Sequence, residues 1–108
     1  MNDIELGALK KLEIIVEGEH REFVTDLLDH AGVSGYSIIQ NLSGKGSHGF
    51  HEGHLMFNDD ALLIMIIAAV PESLERPLLL AFEPFLRRHS GVVFVSDIRV
   101  MRMVKFIG

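Results

Sequence analysis

The sequence contains no cysteine, so neither a disulfide framework nor a thiolate-bound metal centre can be built from it. It also lacks any run of lysine and arginine that would mark a membrane-surface helix. Ten Lys and Arg against 15 Asp and Glu leave a formal charge of −5, the wrong sign for holding a phosphate backbone, so no nucleic-acid partner is expected. No apolar run is long enough to cross a bilayer, and Ala61 to Val70 is the longest. The first residues carry Asp3 and Glu5 instead of the basic-then-apolar pattern of a signal peptide. A cytoplasmic protein without membrane insertion is therefore expected. Its 108 residues suffice for one domain, 1–108. The hydrophobic fraction of 48% is high for a monomer of this size, which points to a subunit interface.

Residues 1–9 show no periodicity and are expected to be loose. From Lys11 to Glu17, Leu12, Ile14 and Val16 alternate with Lys11, Glu13 and Glu17, which predicts a strand with one buried face. Gly18 breaks it. Phe23, Leu27, Leu28 and Ala31 then recur at helical spacing over His20 to Ala31, and Gly32 caps that helix. Tyr36 to Leu42 reads as a second strand. Residues 43–60 lose all periodicity and hold Gly44, Gly46, Gly49 and Gly53, the composition of a long functional loop. Ala61 to Val70 is apolar on both sides and fits a central strand, although periodicity alone does not exclude a helix. Leu74, Leu78, Ala81, Phe82, Phe85 and Leu86 form a stripe over Glu72 to His89; Pro77 and Pro84 predict a late start or a kink. After a turn at Ser90-Gly91, Val92 to Phe106 is strand-like, with a bend expected at Ser96-Asp97.

This order of elements predicts an α+β fold of the ferredoxin-like βαββαβ type, an antiparallel sheet with two helices on one face. Its other face would carry apolar side chains with no helix over them. Self-association is the simplest way to bury it.

Four short stretches carry a further signal: Ala31-Gly32-Val33-Ser34-Gly35-Tyr36-Ser37-Ile38-Ile39, Ser43-Gly44-Lys45-Gly46-Ser47, Ala81-Phe82-Glu83-Pro84-Phe85-Leu86 and Ser90-Gly91-Val92-Val93-Phe94-Val95. In this order the chain resembles the P-II-like signalling superfamily over roughly Lys10 to Lys105. Within it, the nearest likeness is to the carboxysome-associated P-II proteins and the regulator of a cyanobacterial sodium–bicarbonate symporter. The resemblance implies a non-catalytic homotrimer that binds an adenine nucleotide between subunits. Residues 43–60 would be its T-loop, and a bicarbonate transporter or carboxysome component its partner. Two departures matter. The loop has no tyrosine to modify, and the turn before the fourth strand lacks the extra glycines and the phosphate-contacting lysine of nitrogen-regulatory P-II proteins. ADP or AMP is favoured for that reason over classical sensing of ATP with 2-oxoglutarate; ATP and cyclic AMP stay open as ligands, and the carbon-metabolism relatives imply bicarbonate as co-ligand.

Among individual residues, Gly44, Lys45, Gly46, Ser47 and His48 form the candidate anion loop, since glycines let backbone N–H groups converge and a lysine adds charge. Lys45, Gly46, Ser47 and His48 are also the candidates for bicarbonate. A flexible loop with one solvated lysine is the alternative. If Ile98 to Phe106 were one strand, Arg102 would lie among apolar neighbours and need an anion or an exit to water; a shift of one residue would pass that role to Arg99 or Lys105. The resemblance sets Gly35, Tyr36 and Ser37 beside the adenine or ribose, and Arg87, Arg88, Gly91 and Val92 on the opposite wall of the cleft. His48, His51 and His54 recur every third residue; they are either solvated loop histidines or ligands of a CutA-like metal-binding trimer. Their spacing matches no closed zinc motif, so no metal is expected. Ser47 beside His48 makes no triad, and no catalytic residue is expected.

Overall fold

The computed structural model describes residues 4–43 and 62–102. Strand β1 (Gly7–Glu17) leads through a 3-10 turn (Gly18–His20) into helix α1 (Arg21–His30). Strands β2 (Ser37–Leu42) and β3 (Leu63–Val70) follow, then helix α2 (Glu72–Arg88) and strand β4 (Gly91–Val100). The sheet runs β2-β3-β1-β4 with every neighbouring pair antiparallel. This is the expected ferredoxin-like arrangement.

Strand alternation sorts the sheet into two faces. Leu12, Ile14 and Val16 of β1 and Ile64, Ile66, Ala68 and Val70 of β3 are buried, forming one core with Val24 and Leu28 of α1 and Leu78, Phe82 and Phe85 of α2. The opposite face carries Ile15, Met65, Ile67, Ala69, Val92, Phe94 and Ile98, broken mainly by the Lys11–Glu13 ion pair at 3.7 Å. Phe94 is 52% exposed there. The face left bare by the helices is therefore apolar, as a self-associating sheet requires.

Helix α1 ends as its sequence dictates. Gly32 takes φ of 85°, the left-handed region that glycine enters without steric cost. Its N–H bonds to the Asp29 carbonyl, and the Val33 N–H bonds to the Leu28 carbonyl, each at 3.1 Å. Val33 and Leu28 are both buried, which completes a Schellman cap with its apolar contact. Gly32→Ala is expected to destabilise the fold by about 1–2 kcal/mol, the cost of forcing a Cβ into that region; a denaturant melt reads it.

Several boundaries differ from the sequence reading. β1 begins at Gly7, so Gly7 to Leu9 of the N-terminal segment are strand, not loose chain; pairing with Ile98 to Val100 supplies order that local periodicity does not reveal. His20 belongs to the 3-10 turn, and α1 starts one residue later. α2 starts at Glu72 and runs through Pro77 and Pro84 with no late start. Burial of Leu78, Phe82 and Phe85 offsets the backbone bonds that the prolines forgo. β4 passes Ser96-Asp97 in unbroken register with β1, because Asp97 pairs with Lys10 across the strands. It ends at Val100. The irregularity lies instead in β2, between Ile39 and Leu42, where Asn41 adopts φ of 59°.

Candidate functional site

Three groups of candidate residues fall within the described structure. The first heads β2. The capped helix end hands the chain to Gly35, half-buried Tyr36 and exposed Ser37, which sits opposite Ile67. A Cβ built on Gly35 would meet nothing within 4 Å, so packing in this chain does not explain the glycine.

The second group joins α2 to β4. Arg87 donates to Glu83 at 3.0 Å, one helical turn back. Arg88 is exposed, and the His89 N–H closes the helix on the Phe85 carbonyl at 2.9 Å. Gly91 has an internal reason to be glycine. A Cβ there would lie 3.2 Å from both Leu86 Cδ2 and Val16 Cγ1, and 3.3 Å from the Ile15 carbonyl oxygen. Val92 points to the open face, opposite Ile15.

The third group follows β4. Because the strand stops at Val100, Arg102 is not aligned with Ile98 and Val100 on a strand face, which corrects the expectation; it is exposed beyond the sheet. Its alternate, Arg99, stands opposite Ala8 and lines a cavity of about 430 Å³ with Lys10, Glu72 and Asp97. There the Lys10 ammonium donates to Asp97 at 2.5 Å. That bond, with the charges of Asp97, Glu75 and Glu72, outweighs the opposing effect of desolvation and holds the Lys10 pKa above its ordinary value. Lys105 lies outside the described residues. So do Gly44, Lys45, Gly46, Ser47, His48, His51 and His54.

Within one chain these groups do not converge. Ser37 lies on the edge strand β2 and Gly91 on the opposite edge strand β4, separated by β3 and β1. Three strand spacings amount to roughly 14 Å. Arg102 lies past the far end of β4 from Gly91, roughly 30 Å along the strand at its usual rise. A ligand touching all three groups would have to sit between chains. What does converge is the end of the sheet where residues 43–62 leave and return. Leu42 pairs with Leu63, the Gly18 N–H donates to the Leu62 carbonyl at 2.7 Å, and Gly91 pairs with Val16. The base of the glycine-rich segment, the 3-10 turn and the α2–β4 junction thus share one end.

The sequence reading missed an aromatic cluster beside that end. Phe23, assigned to the buried stripe of α1, is 42% exposed and stacks on Phe85 with ring centroids 4.8 Å apart. His20 meets Phe85 edge-on at 5.0 Å and His89 at 4.5 Å. The signal available was the helical spacing of Phe85 and His89; the contact with His20 is tertiary. Among the described residues, Glu17, Glu19 and His20 are the one group whose ligand atoms lie within metal-binding reach of one another.

Two helices over a β2-β3-β1-β4 sheet, with the opposite face bare and apolar, define a ferredoxin-like protomer built to assemble through its sheet. Residues 9–105 match the family model of the nitrogen regulatory protein P-II, and the chain belongs to the P-II family. P-II proteins are trimers that bind adenine nucleotides, and they are generally signalling proteins without catalytic activity. The trimer expected for the fold is thus the family's own assembly.

No curated protein matches the chain. Solved structures of CPII, a nitrogen regulatory PII-like protein from Thiomonas intermedia K12, are similar to it throughout. CPII bound to ADP, AMP and acetate is 62% identical with a TM-score of 0.84, over 95% of this chain and 98% of that one. CPII bound to ADP and bicarbonate is 66% identical with a TM-score of 0.82, over 96% and 99%. Apo CPII is 63% identical with a TM-score of 0.80, over 91% and 97%.

Proposed function

We propose that this protein is a non-catalytic P-II-type regulator that binds ADP or AMP, with bicarbonate as co-ligand, in clefts between the subunits of a homotrimer. It acts in the cytoplasm and reports through residues 43–60 to a bicarbonate transporter or carboxysome component. The observation that carries the reading is the 66% identity, over nearly the whole of both chains, to a protein bound to ADP and bicarbonate. The separation of the candidate groups onto opposite sheet edges supports a site with walls from two chains. In that site we assign Gly35, Tyr36 and Ser37 to the nucleoside, and Arg102 and the α2–β4 junction (Arg87, Arg88, Gly91 and Val92) to the phosphates. Gly44 to Ser47 form the anion loop, and Lys45 to His48 hold bicarbonate.

Among the described residues no helix is long and apolar enough to cross a membrane. In this reading a transporter would be met as a partner through residues 43–60, with bound ligands favouring one state of the regulator over another. Calorimetric titration with AMP, ADP, ATP and cyclic AMP, with and without bicarbonate, tests the reading. ADP or AMP is expected to bind saturably, and bicarbonate to tighten the nucleotide by the same factor as the nucleotide tightens bicarbonate. Arg102→Ala is expected to weaken the nucleotide at least tenfold. Absence of heat with all four nucleotides in both conditions removes the proposal.

A further inference from the structure

We propose that Asn41 is a positioning residue for the ligand site: its left-handed backbone sets the anion-binding segment that follows β2 against the nucleoside-binding residues that precede it. The inference rests on the assignment of Gly35 to Ser37 and of Gly44 to His48 given above. Asn41 has φ of 59° and is the one residue other than glycine with positive φ among the described residues. β2 pairs regularly with β3 through Ser37, Ile38 and Ile39, and then Leu42 meets Leu63. Gln40 and Asn41 together therefore stand against Ile64 alone, which is a β-bulge. In a regular register Asn41 would face Leu63. The extra residue puts Leu42 there instead, half-buried against a side chain that is 4% exposed. Strand side chains alternate with a period of two, so this slip also reverses the facing of the chain as it leaves the sheet at Ser43.

What Asn41 supplies is a backbone conformation. Its side chain is exposed and makes no hydrogen bond among the described residues. Asparagine enters the left-handed region more readily than most residues, and a β-branched residue is a true outlier there. Backbone in so sparsely populated a region persists where its surroundings over-determine it, and such residues gather at ligand sites. Here the Ile39–Met65 pair fixes one side of the bulge and the Leu42–Leu63 pair the other. The bulge also lies between the two halves of the proposed site, with Ser37 before it and Gly44 after it. A change of backbone at Asn41 thus alters how the halves meet, while the pairing of Ser37 to Ile39 with β3 is kept.

The test titrates ADP, with and without bicarbonate, into the full-length wild type and its Asn41→Val, Asn41→Ala and Asn41→Gly variants by calorimetry. Circular dichroism and light scattering check fold and assembly. Asn41→Val is expected to weaken ADP by about tenfold or more and to abolish the factor by which bicarbonate tightens it. Asn41→Ala, unbranched and less strained at positive φ, is expected to show a smaller loss of the same kind and serves if the valine variant does not fold. Asn41→Gly adopts the same φ without cost and is expected to stay within about twofold of the wild type. A residue that mattered only for folding would lower the melting temperature and leave the bicarbonate factor unchanged. Wild-type binding with that factor intact in the folded valine or alanine variant overturns the assignment alone, as does an equal loss in Asn41→Gly. Absence of binding by the wild type removes the reading of the site, and this assignment with it.

Discussion

Phe94→Asp is expected to leave the protein monomeric, as measured by light scattering, with circular dichroism unchanged. Phe94 lies on the helix-free face of the sheet and is 52% exposed in the single chain. An aspartate there is solvated in the monomer and costs little. In a trimer assembled through this face, the same substitution removes a buried phenyl group from every protomer, worth about 1.5–3 kcal/mol each. It also buries an unpaired carboxylate, at a further several kcal/mol per copy. Three copies make the penalty too large for the assembly to survive at micromolar concentration. Nucleotide binding should disappear with the trimer, since one chain holds Ser37 and Gly91 on opposite sheet edges. A trimer that persists would show that the protein assembles through another surface.

Phe82→Ala is expected to destabilise the fold by about 3–5 kcal/mol, read as a drop in the denaturant midpoint. Phe82 is 1% exposed and belongs to the cluster joining α2 to β1 and β3. Truncation loses the transfer energy of the ring and leaves a cavity that neighbours in four elements cannot close together. Leu80→Ala on the same helix is the contrast: at 57% exposure, its loss should shift the midpoint by a small fraction of that amount.

The fold was legible where burial is periodic. Leu12, Ile14 and Val16 announce β1, the double-sided apolar run announces β3, and Gly32 announces the end of α1. It was illegible where a distant partner decides. Gly7 to Leu9 have no local strand pattern and are ordered by the end of β4. Pro77 and Pro84 argue locally against a helix that its packing nevertheless maintains. The candidate site shows the same division. Glycine, serine and arginine at the element junctions are visible as residue types. Their placement on opposite sheet edges depends on strand order, which no short motif encodes. His20 and His89 illustrate the limit: each has an ordinary local explanation, and only the docking of α2 against the 3-10 turn makes them neighbours.

The irregular pairing of β2 has a consequence for solubility. β2 is an outer strand, and an outer strand offers its free amide and carbonyl groups to any extended peptide that drifts past. A regular row of such groups would template a foreign strand along its whole length. The break between Ile39 and Leu42, with Asn41 turned into the left-handed region, interrupts that row after a few residues. An invading strand could pair with Ser37 to Ile39 and then lose its match. The kink that prepares the chain to leave the sheet toward residue 43 thus also keeps this rim from seeding fibrils.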